Sequence, residues 1–412
     1  MMRSMFAGVS GLRNHQTRMD VIGNNIANVN TVGYKTSRVT FADALSQTLR
    51  GATAPHGNRG GINPQQVGIG VTLSSIDVIH SPGNLQTTGV NTDLAIQGNG
   101  FFMLGGVGNL QDQQYYYTRA GNFNMDISGR LVYSNGLQLL GWIADIDGTI
   151  NTAGNPTGIT LPVGSSIDPR ATSELNLTGN LNSSAAIGES FIRNMQVFDS
   201  LGVPHTIQIV FTKTAVGEWD WEAQDSAGNP LPGASGTLNF DTIGHLPAGT
   251  TGSITGWATG SGADALNITI DFSSITQHHA DESTLAYEQD GYRMGYLDSF
   301  RVDSAGRVIG IFTNGLTRTV AQIAIATCTN PAGLEKMGDT MFRETNNSGT
   351  IQINLPGVGG AGMITAGALE MSNVDLSQEF TDMIVTQRGF QANSRIITTS
   401  DEMLQELVNL KR

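Results

Sequence analysis

A chain of 412 residues is long enough for two or three domains with cores of their own. Its net charge of −13 gathers in residues 146–283, where 14 acidic residues face three basic ones, and such a surface repels the phosphates of nucleic acid. No run of 18 apolar residues marks a membrane span, the first 20 residues lack the apolar core of a cleaved secretory signal, and a single cysteine, Cys328, leaves no intrachain disulfide.

Residues 3–29 read as a helix. They hold no proline, and Met5, Leu12, Met19 and Ile26 recur every seven residues, with Ile22 and Val29 on the adjoining stripe. Such a repeat gives a helix one sticky seam that is buried only against another helix. Asn24, Asn25, Asn28, Asn30 and Gly33 crowd its C-terminal end and favour an exit into turn and extended structure. Residues 51–70, rich in Gly, Pro and Asn, read as a long extended connector. Strand signals run from 71–79 to about residue 145, with Asn99-Gly100 and Asn135-Gly136 as hairpin dipeptides. The string Phe123-Asn-Met-Asp126-Ile-Ser-Gly129-Arg130-Leu131 is echoed by Phe300-Arg-Val-Asp303-Ser-Ala-Gly306-Arg307-Val308, and each is followed by Asn-Gly-Leu, at 135–137 and 314–316. Two distant segments with one hairpin design fit a single domain interrupted by an insertion.

That insertion is residues 146–283, which carry Trp219 and Trp221 and alternate at 206–211 and 267–272, as an all-β domain does. Residues 284–363 return to the first β domain. The final helix starts near Asp375, with Ser372 or Asn373 as candidate caps, and carries Leu376, Met383, Phe390, Ile397 and Leu404 at the same seven-residue period. The expected fold is mixed and mainly β with terminal α-helices. The N- and C-terminal helices form a coiled coil, followed by two nested β domains, the second inserted in the first. The expected domains are 1–70 plus 364–412, 71–145 plus 284–363, and 146–283.

The ends are oppositely charged. Residues 1–50 hold six Lys/Arg against two Asp/Glu, a balance of +4, and residues 369–412 hold four against seven, a balance of −3. Stripes of four and five heptads at the chain ends, with few other helical segments to cover, point to assembly with further copies.

Catalytic chemistry is not evident. His15, His56, His80, His205, His245, His278 and His279 show no metal-ligand spacing, and the His278-His279 pair beside Asp281 and Glu282 reads as a solvated loop. Gly68-Ile-Gly70 and Gly98-Asn-Gly100 do not continue into a nucleotide or phosphate loop. Cys328 reads as a small apolar residue closing a strand-like run. No catalytic, cofactor-binding or metal site is expected, and no enzyme.

Met5-Phe-Ala-Gly-Val-Ser-Gly-Leu12 and Asn24-Asn-Ile-Ala-Asn-Val-Asn-Thr-Val-Gly-Tyr-Lys35 closely resemble the N-terminal signature of bacterial flagellar rod and hook axial proteins. Gln387-Arg-Gly-Phe-Gln-Ala-Asn-Ser-Arg395 and Asp401-Glu-Met-Leu-Gln-Glu-Leu407 resemble the matching C-terminal end. The motif residues are thus Asn24, Asn25, Asn28, Gly33, Tyr34, Lys35, Gln387, Arg388, Gly389, Phe390, Gln391, Asn393 and Arg395. Asp93-Leu-Ala-Ile-Gln-Gly-Asn-Gly-Phe-Phe102, Phe198-Asp-Ser-Leu-Gly202, Asn314-Gly315 and Asn330-Pro-Ala-Gly-Leu334 resemble the hook members. Distal rod members are expected to be much shorter. Cys328 departs from the pattern, which has Phe ahead of the Asn-Pro step. The resemblance covers nearly the whole chain and is weakest over 215–285.

The resemblance implies a structural subunit that assembles with copies of itself into a curved hollow tube, a universal joint between rotary motor and filament. It implies export without a cleaved signal peptide through the flagellar type III export apparatus to an extracellular position in the hook. Its other implied partners are the distal rod protein, the hook cap protein and the hook–filament junction protein, with no nucleic acid and no membrane insertion. The stripes Met5, Leu12, Met19 and Ile26 are expected to pack on Leu376, Met383, Phe390, Ile397 and Leu404 as the inner coiled coil, and to stay largely disordered until a neighbouring subunit arrives.

Overall fold

Among the described residues two long helices bracket strands, turns and one short 3-10 helix, Pro331–Gly333. A computed structural model describes residues 2–55, 60–106, 114–145, 147–162, 164 and 166–410. His56, part of the 51–70 connector, lies outside the described residues. The fold is mainly β with a helix at each end, as the periodicities predict.

Helix α1 spans Met2–Ala27 and helix α2 spans Leu376–Asn409. α1 ends two residues earlier than its apolar stripe suggests, so Val29 lies in the turn beyond it. The Asn28 side chain folds back to donate to the Asn24 carbonyl at 2.9 Å, ending the helix with a polar clasp. Gly33 then adopts φ +67°, and a Cβ there would lie 2.4 Å from the Ala120 nitrogen, so only glycine fits. At α2 the cap is Asp375 itself. Its Oδ1 accepts from the amides of Ser377 at 2.8 Å and Gln378 at 3.3 Å. Ser372 and Asn373 sit too far upstream for that task. Asn373 instead accepts from the Thr36 amide and donates to the Ile79 carbonyl.

The chain divides into two compact units. Unit 1 is Met1–Leu161, Arg301–Ile309 and Thr319–Arg412. After α1 it forms a two-stranded antiparallel ribbon, Ser37–Asp43 with Val71–Val78, extended by Ser46–Arg50 with Gln65–Gly68. Within the 51–70 connector, Thr53 bridges Ile62 and Gln65–Gly68 is a strand paired to Ser46–Arg50. The β body follows. Gln138–Ile143 lies between Phe101–Gly105 and the 321–323 strand, and Phe101–Gly105 continues through Tyr116–Thr118 and Met341–Arg343 to Glu335–Gly338. Segments from both sides of the long insertion thus pair directly. Phe101, Met103, Tyr117, Leu140, Trp142 and Phe342 form the core beneath them.

Unit 2 is Pro162–Phe300 with Gly310–Arg318. It packs two four-stranded sheets face to face. One is the meander Ser190–Phe198, Pro204–Ala215, Glu218–Asp225 and Pro230–Asn239, and the other is ordered Thr251–Trp257, Leu266–His278, Glu174–Asn182, Thr284–Gln289. Strict alternation supplies the inner faces: Ile207, Ile209 and Phe211 from one strand and Ile268, Ile270 and Phe272 from another, closed by Trp219 and Trp221.

The echoed strings are hairpin turns. Asp126 Oδ1 accepts from the Ser128 and Arg130 amides, and Asp303 Oδ1 from the Arg307 amide. The same Asp-x-x-Gly turn recurs at Asp199, within the Phe198–Gly202 string, and at Asp225 and Asp241. Asp199 also accepts from Ser261 Oγ at 2.5 Å and faces His205 Nε2 at 3.0 Å. Burial raises the Asp199 pKa, but the bonds from Ser261, His205 and the Val203 and Leu201 amides outweigh it and hold the carboxyl at about 2.

Candidate assembly site

The two helices run antiparallel, with Ser4 beside Ser400, His15 against Gly389 and Arg18 paired to Asp382. Their closest approach runs through small residues. Gly8 and Gly11 are buried on α1, as are Thr386 and Ser400 on α2. A Cβ on Gly11 would lie 2.6 Å from Asn393 Nδ2, and one on Gly389 would lie 2.7 Å from the His15 ring. Asn393 and His15 are thus knobs seated on facing glycines, and the seam positions 8, 11, 15, 18, 22 and 25 step by three and four residues as in a coiled coil.

The predicted apolar stripes flank this seam. Ile22 is buried; Met5, Leu12, Met19, Ile26, Val29, Met383, Ile397 and Leu404 are half-buried; Leu376 and Phe390 are 39% and 38% exposed. Within one chain the helix contact is lined by Gly8, Gly11, Gly389, Asn393 and Ser400 together with Ile22 and Ile397, the latter against Gly8, while most of the predicted apolar side chains lie beside it. Further large apolar groups face outward, among them Phe6, Phe380, Ile384, Met403 and Leu407.

A polar anchor fixes the roots of both helices. Asn25, 1% exposed, donates to the Ser37 carbonyl at 2.8 Å and to Glu379 Oε1 at 3.0 Å. Its Oδ1 accepts from the Ser37 amide and the Tyr34 hydroxyl. Burial, followed by the Asp382 charge, raises the Glu379 pKa against bonds from Asn25 and Thr36 that lower it. Just beyond, Lys35 Nζ sits 2.6 Å from Glu370 Oε1, with neither side chain exposed, and donates to the Ser81 carbonyl at 2.7 Å. Arg119 Nη1 lies 3.2 Å from Glu370 Oε2, while Nη2 donates to the Gly98 carbonyl at 2.7 Å. Burial depresses the pKa of both cations and the Glu370 carboxylate opposes it.

The motif residues divide between these features. Asn25, Gly33, Tyr34 and Lys35 belong to the anchor, Gly389 and Asn393 to the seam, and Asn24 and Asn28 to the α1 terminus. Gln387, Arg388, Gln391 and Arg395 are exposed on α2. His15, on the helical stripe, reads from sequence as a packing or subunit contact, and it packs on Gly389; sequence reading missed Gly8, Gly11, Thr386 and Ser400, for which the helical spacing of small residues was the available signal. It also missed Arg119 and Glu370, which carry no local signal.

Elsewhere, His279 Nδ1 contacts Ser184 Oγ at 2.7 Å and the His245 and His278 rings meet edge to face. Among the described residues no group of three His, Cys, Asp or Glu side chains is placed to hold a metal ion. Burial, then the Glu344 charge, raises the Cys328 pKa, which keeps it a thiol.

Four family models match the chain: Flagella basal body rod protein over 5–35, Flagellar hook protein FlgE/F/G D1 domain over 95–174, Flagellar basal body protein FlaE D2 domain over 176–292, and Flagellar basal body rod FlgEFG protein C-terminal over 365–410. The flagellar hook protein FlgE of Treponema pallidum (strain Nichols) is 42% identical over 469 residues, covering 100% of both chains. The flagellar basal-body rod protein FlgG of Bacillus subtilis (strain 168) is 35% identical over 414 residues, also covering 100% of both. A protein with a rod name is therefore as long as this one, and the expectation that length separates rod from hook members does not hold. Among solved structures, the Helicobacter pylori flagellar hook protein FlgE2 shares the fold, with a TM-score of 0.55 at 15% identity, over 71% of this chain and 100% of that one.

Proposed function

This chain belongs to the flagellar hook protein family and is a structural subunit of the flagellar hook, and from that premise we propose how its ends and its middle divide the work. The α1–α2 pair lines the inner tube of a curved, hollow polymer. The observation that carries this reading is that the pair closes through glycines while Phe6, Phe380, Ile384, Met403 and Leu407 stay exposed. Each such side chain contributes roughly 1.5–3 kcal/mol when fully buried, and a second copy of the same helical pair is the occupant that supplies the burial. Of the large apolar residues on α1 only Ile22 is buried within the chain, so a lone subunit has little to hold its ends helical. Both ends therefore order on addition to a growing polymer, which confines growth to its tip.

The helical part, 1–70 with 364–412, forms the inner tube, and 71–145 with 284–363 and 146–283 are two further β domains. The polar, Gly-rich and acidic outer surface allows subunits to slide as a bent tube turns. The distal rod protein, hook cap protein, hook–filament junction protein and type III export apparatus are the partners at its ends and on its route out of the cell. Electron microscopy of polymer grown from the purified full chain tests this reading. Curved hollow tubes are expected. Straight tubes would favour a rod role, the second reading that the full-length similarity to a rod-named protein supports.

A further inference from the structure

Glu370 is one carboxylate held between two cations, and all three are withdrawn from water. Among the described residues every ion pair of Lys35 and Arg119 runs to Glu370. Their other hydrogen-bond acceptors are the carbonyls of Ser81, Ile96 and Gly98, and the Arg119 guanidinium lies 5.4 Å from the Phe101 ring centre; none of these supplies a full negative charge. The cluster therefore carries one net positive charge with Glu370 in place and two without it. Burying two unmatched cations is strongly unfavourable.

The three residues come from different parts of the chain. Lys35 follows α1, Arg119 lies in the β body, and Glu370 ends the short strand Ala368–Glu370 that leads into α2. The same residue makes further ties: its Oε1 accepts from the Gly83 amide at 2.8 Å and its carbonyl from the Gly33 amide at 2.7 Å. We infer that Glu370 is a closure latch. The β body of unit 1 completes its packing around Lys35 and Arg119 only when the segment leading into α2 docks, so closing the body and seating the root of the C-terminal helix are one event. The latch acts within one chain and does not depend on how copies pack in the polymer.

The test uses the full chain with Glu370→Gln, Lys35→Met and both together, read by hydrogen exchange in Phe101–Gly105 and by thermal melting. Glu370→Gln leaves two buried cations unmatched and should speed exchange at least roughly tenfold, whereas Lys35→Met leaves a one-to-one Arg119–Glu370 pair and should stay within about threefold. Adding Lys35→Met to Glu370→Gln should recover most of the loss. Equal damage from the two single changes, or a double variant worse than Glu370→Gln alone, would overturn the latch and leave an ordinary packing contact. If Glu370→Gln yields no soluble protein, the double variant decides: soluble, protected protein supports the latch and insoluble protein refutes it.

Discussion

Replacing Gly11 with alanine sets two effects of known sign against each other. Alanine in a helix interior is favoured over glycine by roughly 0.5–1 kcal/mol, so by propensity alone the change stabilises α1. The seam opposes this. The new Cβ would lie 2.6 Å from Asn393 Nδ2 and 2.9 Å from its Cγ, well inside the ordinary contact of about 3.5–4.0 Å. Because Cγ is also within 3.0 Å, turning the amide about χ2 alone does not clear the overlap: either Asn393 leaves its χ1 rotamer and its seat or the helices part by a few tenths of an ångström to an ångström. Overpacking of this kind costs typically about 1–3 kcal/mol, so the net effect should be a loss of about 1 kcal/mol. Asn393→Ala removes both clashing atoms, and in a double-mutant cycle it should restore the propensity gain. Far-ultraviolet circular dichroism melts of the assembled polymer read the helices directly. If Gly11→Ala raises the melting temperature with Asn393 intact, the glycine seam is not what closes the pair.

Other outcomes follow from the anchor and from unit 2. Asn25→Ala strips partners from the Ser37 amide and the Tyr34 hydroxyl, and should cost about 1–3 kcal/mol in a chemical melt of the polymer. Asp382→Asn, by contrast, breaks a pair that is about one-third exposed and should cost at most about 1 kcal/mol, vanishing at high salt. Asp199 has a folded pKa depressed to about 2. Its contribution is therefore fully present above the ordinary carboxylate pKa and is lost as pH falls toward 2; Asp199→Asn should flatten the acid limb of unit 2 unfolding, followed by tryptophan fluorescence. Phe272→Ala, at a fully buried position, should cost about 3–5 kcal/mol in the same assay.

Much of this architecture was legible in the sequence because its signals are local. Heptad spacing marked both helices, alternation marked the inner faces around Phe211 and Phe272, and Asp-x-x-Gly strings marked hairpins. The register of the helix pair was not legible from hydrophobicity. Leu12 follows Gly11, Ile26 follows Asn25, Met383 follows Asp382 and Phe390 follows Gly389, so much of the apolar stripe sits one position off the seam, although Ile22 and Ile397 lie in it. Where backbones approach closely the seam takes Gly, Asn and Ser, and the apolar pattern marks the face left open to neighbours. The latch at Glu370 was invisible for another reason. Its partners lie 335 and 251 residues away, and no local pattern announces an ion pair over that distance.

The central claim is that the terminal helices gain their stability from neighbouring copies. Hydrogen exchange over 2–27 and 376–409, compared between the free chain and the polymer, tests it most directly. Fast exchange in the free chain and strong protection in the polymer are expected. Strong protection of both segments in the free chain would contradict the account.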